Sequence, residues 1–205
     1  MQRALLALVV VAMIASPAWA IRDFTPPWGW SGPSITTQGW ESTVSLTSPS
    51  FVDNPYGMPQ IVWDPIGVSP GFDPNGPGYT GIPVWQVLLD GAGFTLYLPN
   101  DPTPRPEKRI HLQYTSNKAS MGPPVTTPGG TAQAGGVAGH PNAWYTYEWT
   151  LTIRPNPPFE QIFVPFYAGT NIEEVWVSTI CTVPEPASLA LLALGSSLVI
   201  SRRKR

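Results

Sequence analysis

The sequence predicts an all-β protein: a single β-sandwich, jelly-roll-like, flanked by an N-terminal signal helix and a short C-terminal transmembrane helix. Three observations predict this. The 26 prolines and 19 glycines punctuate the chain too often for long helices. Between them, apolar and polar residues alternate with period two. At both ends lie apolar runs with charged flanks, which belong to targeting rather than to the fold. Setting the ends aside leaves a body of about 160 residues, the size of one domain with a proper core. At 42% hydrophobic and 12% charged, the composition is not that of a charge-rich disordered chain.

Residues 1–20 read as a secretory signal peptide. Arg3 supplies the early positive charge, Ala4 to Ala15 the apolar stretch, and Ala18-Trp19-Ala20 the small-residue site, with cleavage expected after Ala20. Ala18 and Ala20 are the residues that signal peptidase would read. The body, residues 21–182, is then expected to cross the inner membrane. A single cysteine, Cys181, rules out an internal disulfide framework.

Within the body, "AWYTYEWTLTIRP" gives the clearest strand. Tyr145, Tyr147, Trp149, Leu151 and Ile153 fall on one face; Trp144, Thr146, Glu148, Thr150, Thr152 and Arg154 fall on the other. "RIHLQYT" sets Ile110, Leu112 and Tyr114 against His111 and Gln113. Val84 to Leu89 and Phe94 to Leu98 read as a hairpin about the turn Asp90-Gly91-Ala92-Gly93. "QIFVPFYA" and "EEVWVSTIC" add two strands, with Pro165 marking the first as an edge or a bulge. Thr43 to Leu46 and Gln60 to Trp63 are weaker strands, for about seven in all. The long connections 64–83 and 116–141 are of the kind that is functional or disordered. The second has almost no apolar bulk and is expected to be disordered or a mobile flap.

Residues 183–205 form a second signal. The apolar run Ala187 to Ile200 is shorter than the roughly 20 residues of a full span. Arg202, Arg203, Lys204 and Arg205 follow it, and such a cluster stays on the cytoplasmic side while its long side chains stretch a short span. Pro184 and Pro186 hold the segment before it extended, with Glu185 exposed between them. Val183-Pro184-Glu185-Pro186, the apolar run and the basic end together resemble the PEP-CTERM sorting signal of bacterial envelope and extracellular proteins. The resemblance implies that Pro184, Glu185 and Pro186 are recognised by exosortase, a membrane-embedded cysteine protease or transpeptidase. It implies that 187–201 is the transient transmembrane segment and 202–205 the cytoplasmic stop. It also implies a producer of exopolysaccharide or biofilm matrix, and no activity for the body. "FTLYLPN" and "STICTVPEP" are similar to segments of uncharacterised PEP-CTERM proteins, which implies the same sandwich class.

For chemistry the body offers little. The body carries six basic against twelve acidic residues, a formal balance of −6, and Arg105, Lys108 and Arg109 are too few for a nucleic-acid patch. No G-x-S-x-G elbow is present, and Cys181 has no histidine nearby in sequence. His111 and His140 lack zinc spacing. "FDPNGPG" offers Asp73 and Asn75 as oxygen ligands, although an Asx-turn explains them better than calcium. No catalytic residue, metal or cofactor is therefore expected. Glu148 and Glu160, or Glu173 with Glu174, would have to serve a glycan hydrolase and are expected to be solvated. Among eight body tryptophans, core, roof or edge packing is the favoured reading; Trp144, opposite the core face of its strand, is the candidate for a ligand-binding residue that stacks on sugar rings. The first expectation is thus a non-enzymatic, exosortase-processed structural or adhesive sandwich of envelope or matrix. Its partners would be signal peptidase, exosortase and the inner membrane. The protein would be anchored transiently with its C-terminus cytoplasmic, then envelope-bound or extracellular. The alternatives are a carbohydrate-binding module for exopolysaccharide and, third, a glycan hydrolase of weak signature.

Overall fold

The computed structural model describes residues 30, 35–42, 45, 48–76 and 81–182. The signal segment, the tail from Val183 onward and their two expected helices lie outside the described residues, as do Thr43, Val44 and Leu46 of one weak strand. Twelve strands are formed: β1 (Ile35–Glu41), β2 (Phe51–Asp53), β3 (Gln60–Trp63), β4 (Val68–Asp73), β5 (Ile82–Val87), β6 (Gly93–Pro99), β7 (Glu107–Ser116), β8 (Val125–Thr127), β9 (Thr131–His140), β10 (Trp144–Ile153), β11 (Phe159–Pro165) and β12 (Asn171–Thr182). Among the described residues the one helical feature is a 3-10 turn at Pro141–Ala143.

The strands make two sheets. The larger has eight, in the order β2-β1-β12-β7-β10-β9 with β5 joined to β12 and β4 to β5; the smaller runs β3-β6-β11-β8. Three antiparallel pairs are nested in the chain, β1 with β12, β6 with β11 and β7 with β10, and successive pairs alternate between the sheets. One core joins them. Ile110, Leu112, Tyr114, Leu151, Val175 and Val177 of the large sheet meet Ile61, Phe94, Leu96, Leu98, Ile162 and Val164 of the small one. Trp63 stacks on Trp85 across the interface at 4.3 Å between ring centroids, with Phe94 edge-on to Trp63.

The alternation in β10 and β7 builds this core as expected except at Tyr145, which is exposed: Leu151 and Ile153 are buried, and Tyr147 and Trp149 pack against the same cluster. Other expectations are corrected. Val84–Leu89 and Phe94–Leu98 are not a hairpin, because β5 pairs with β4 and β12 while β6 pairs with β3 and β11. Both strands supply core residues from opposite sheets, and the chain crosses from one sheet to the other at 88–92. β11 is an interior strand. Pro165 is its last residue, beyond the stretch Gln161–Phe163 that pairs with β8, so the missing N–H costs no ladder bond there. Opposite it, Gly93 is required, because a Cβ would lie 1.9 Å from the Val164 carbonyl oxygen.

The two long connections are ordered in strands. β4 lies in the first; β8 and β9 lie in the second. β9, "TAQAGGVAGH", is held by its backbone ladder to β10 rather than by side-chain bulk, which is why its composition suggested a flap. β1 is interrupted in sequence by Gly39, which a Cβ would drive to 2.4 Å from the Trp176 ring.

Candidate functional site

Among the described residues, the outer face of the small sheet is a partly exposed surface of uniform character. Register places Val62, Thr95, Phe163 and Val125 in one row across the four strands, and Gln60, Tyr97, Gln161 and Thr127 in the next. Pro99 and Phe159 extend it. Val62, Val125 and Phe159 are exposed, Tyr97 and Phe163 half-buried. These ten positions include no charge, in a body of balance −6. The alternate residues Ile61, Leu96 and Ile162 point into the core, so the platform is set by the pleat of strands whose other face is pinned. Aromatic rings beside amide and hydroxyl groups offer a neutral ligand both stacking and hydrogen bonds.

On the outer side of the large sheet a group of polar side chains is buried and linked by hydrogen bonds. The Trp176 indole donates to Glu174 Oε2 at 3.1 Å, and the Thr115 hydroxyl donates to Glu174 Oε1 at 2.8 Å. Thr115 therefore accepts from Thr146, 2.8 Å away, and Thr146 accepts from His140 Nε2, 2.8 Å away. A hydroxyl has one proton to give, so this polarity places a proton on His140 Nε2. Gln113 donates to Glu148 Oε1 at 2.7 Å. His111 is buried with Trp30 edge-on to its ring, and desolvation holds its imidazole below the usual histidine range, against the opposing pull of Glu148.

Trp144, the candidate for a sugar-stacking residue, is 1% exposed. It packs with Ile82 and Val84 in a small second cluster, and its indole N–H donates to the Asn75 carbonyl at 2.8 Å. The face opposite the main core is covered here by β5, so Trp144 is a packing residue and not a platform. Asp73 makes the expected Asx-turn, accepting from the Asn75 amide at 2.7 Å.

Three of the four glutamates expected to be solvated, Glu160, Glu173 and Glu174, are instead buried, and Glu148 is half-buried. Glu173 and Glu174 are buried at the bulge where β12 shifts register against β7. Glu160, on β11, is fully buried, with Lys108 Nζ of β7 at 2.5 Å from its Oε1. Burial pushes the Glu160 carboxyl up to about 7, although Lys108 pulls it down. Glu148 and Glu160 thus sit on different sheets, one turned to the outer side and one inward. Cys181 is also buried, its thiol donating to Asn100 Oδ1 at 3.4 Å, and desolvation raises its pKa. Among the described residues, no group of three or more His, Cys, Asp and Glu side chains is placed to hold a metal ion.

The sorting residues Pro184, Glu185, Pro186, Arg202, Arg203, Lys204 and Arg205, and the cleavage residues Ala18 and Ala20, lie outside the described residues. β12 runs as far as Thr182, paired with Glu107, so the tail leaves from a central strand of the large sheet. Residues 182–205 match the family model described as the PEP-CTERM protein-sorting motif. No curated protein matches the chain. Among solved structures, the C-terminal CBM6 of LamC, a marine laminarinase from Zobellia galactanivorans, is similar over 70% of this chain and 98% of that one, at 15% identity and a TM-score of 0.31. The chain thus carries, over its last 24 residues, a segment that matches the PEP-CTERM protein-sorting motif.

Proposed function

We propose that this protein is exported by the general secretory route, cut by signal peptidase after Ala20, held in the inner membrane by 187–201 and released or transferred by exosortase. Pro184, Glu185 and Pro186 are the recognised residues, and Arg202 to Arg205 the cytoplasmic stop. The body then serves in the envelope or extracellular matrix as a non-enzymatic structural or adhesive β-sandwich of jelly-roll-like kind; the nested pairs alternating between sheets support that topology. The observation that carries this reading is the matched motif beginning at the last residue of β12. The tripeptide follows almost directly on a paired strand, so processing can take place with the body already folded. Replacing Pro184-Glu185-Pro186 by three alanines should leave the protein in the inner membrane with its tail uncut. Normal processing of that variant would remove the exosortase assignment.

A second reading, a module for neutral polysaccharide, is favoured by the uncharged aromatic face of the small sheet. In it Tyr97 and Phe163 take the role first expected of Trp144. Retention on neutral polysaccharide, lost in Tyr97→Ala/Phe163→Ala, is the outcome it requires; no retention of the unaltered protein on any such polymer would end it. Hydrolysis ranks behind both, because Glu160 is tied to Lys108 in the interior and Glu148 to Gln113.

A further inference from the structure

Lys108 and Glu160 face each other inside the sandwich, one on each sheet. Lys108 is on β7, flanked in register by Cys181 of β12 and Ile153 of β10. Glu160 is on β11, opposite Leu98 of β6. Neither side chain has any exposed surface, and Nζ lies 2.5 Å from Oε1. Among the described residues neither Nζ nor either carboxylate oxygen has a hydrogen-bond partner beyond this contact between the two. A buried ion pair repays its desolvation only when further hydrogen bonds complete both ions, and an apolar pair of like volume often does as well or better. This pair therefore has no evident stabilising purpose as ions.

We propose that Lys108 and Glu160 join as an intramolecular amide, a covalent strut between the two sheets. The bookkeeping needs no other reagent. The Lys108 ammonium first returns a proton to the Glu160 carboxylate, giving amine and neutral acid. Nζ attacks Cδ and forms the new N–C bond. A second Nζ proton joins the departing hydroxyl as the Cδ–O bond breaks, and water leaves. Nothing is oxidised or reduced, and two buried charges disappear. The apolar surroundings favour the neutral acid that the reaction needs, in keeping with a Glu160 carboxyl already pushed up to about 7. The strut lies at the end of the sandwich from which β12 leads into the tail, since Cys181 opposite Lys108 is followed by the last strand residue, Thr182. Tension on an anchored tail would enter the fold there.

The test is the mass of the exported protein, intact and after peptide mapping. The strut predicts about 18 Da less than the sequence mass, one water, with Lys108 and Glu160 in one branched peptide. Lys108→Arg keeps the charge but removes the amine nucleophile, and should restore the full mass. An unmodified Lys108 in the unaltered protein overturns the proposal, with no variant needed. So does a loss of about 17 Da, one ammonia, which would put the acyl partner at an amide side chain.

Discussion

Trp144→Ala separates packing from ligand binding most sharply. The indole is 1% exposed, fills the cluster with Ile82 and Val84, and donates at 2.8 Å to the Asn75 carbonyl. Truncating a buried tryptophan costs about 3–5 kcal/mol, of which the lost hydrogen bond is about 1. Among the described residues the cluster has two other buried members, so its surroundings can partly collapse, and we expect about 3 kcal/mol. For a body of this size that lowers Tm by roughly 6–12 °C. Trp144→Phe keeps most of the ring but orphans the Asn75 carbonyl, and should cost about 1–2 kcal/mol. Thermal and denaturant unfolding would read both, alongside retention on polysaccharide at a temperature where each variant is folded. An unchanged Tm with retention abolished in Trp144→Ala would refute the packing role and return the residue to a ligand site.

The small-sheet face predicts the opposite pattern. With aromatic stacking at about 0.5–1.5 kcal/mol per ring, Tyr97→Ala/Phe163→Ala should weaken retention roughly 5- to 150-fold, in a pull-down at fixed polymer concentration. Gly93→Ala should destabilise by about 1–3 kcal/mol in denaturant, since its Cβ would meet the Val164 carbonyl at 1.9 Å. Stability should fall on acidification in two windows. Buried His111 has its pKa depressed, so the unfolded chain binds its proton first, and stability drops as pH falls below about 6.5 toward the folded value. Glu107 is held low by hydrogen bonds from Arg109 and Arg154, so its contribution is present above about 4.5 and is lost as pH falls through its folded value. His111→Gln should remove the upper window alone. Nitrogen-15 spectra of His140 should show the proton on Nε2; a bare Nε2 would break the hydrogen-bond chain to Glu174.

What the sequence disclosed follows from where the information sits. The alternation in β10 and β7 is local, and one core face per strand follows from it. The crossing at 88–92 is not local: Asp90-Gly91 has the look of a hairpin turn, and only the partners of β5 and β6 reveal that the chain changes sheets. β9 carries no apolar signal because backbone pairing with β10 holds it. Period two puts Trp144 on the face away from the main core, but it cannot show that β5 covers that face. Nor can spacing bring Lys108 to Glu160, since the contact runs between sheets. The aromatic face was written in "FTLYLP" and "FEQIFVP", yet it becomes a platform only when β6 and β11 are neighbours in one register.

The central claim is that the tail is a sorting signal removed after export. The mass of the C-terminal peptide of the natively processed protein tests it most directly. The account predicts an end close to Pro184–Pro186, with Arg202 to Arg205 missing. An intact Arg205 in protein purified from membranes would contradict it and make the tail a lasting anchor.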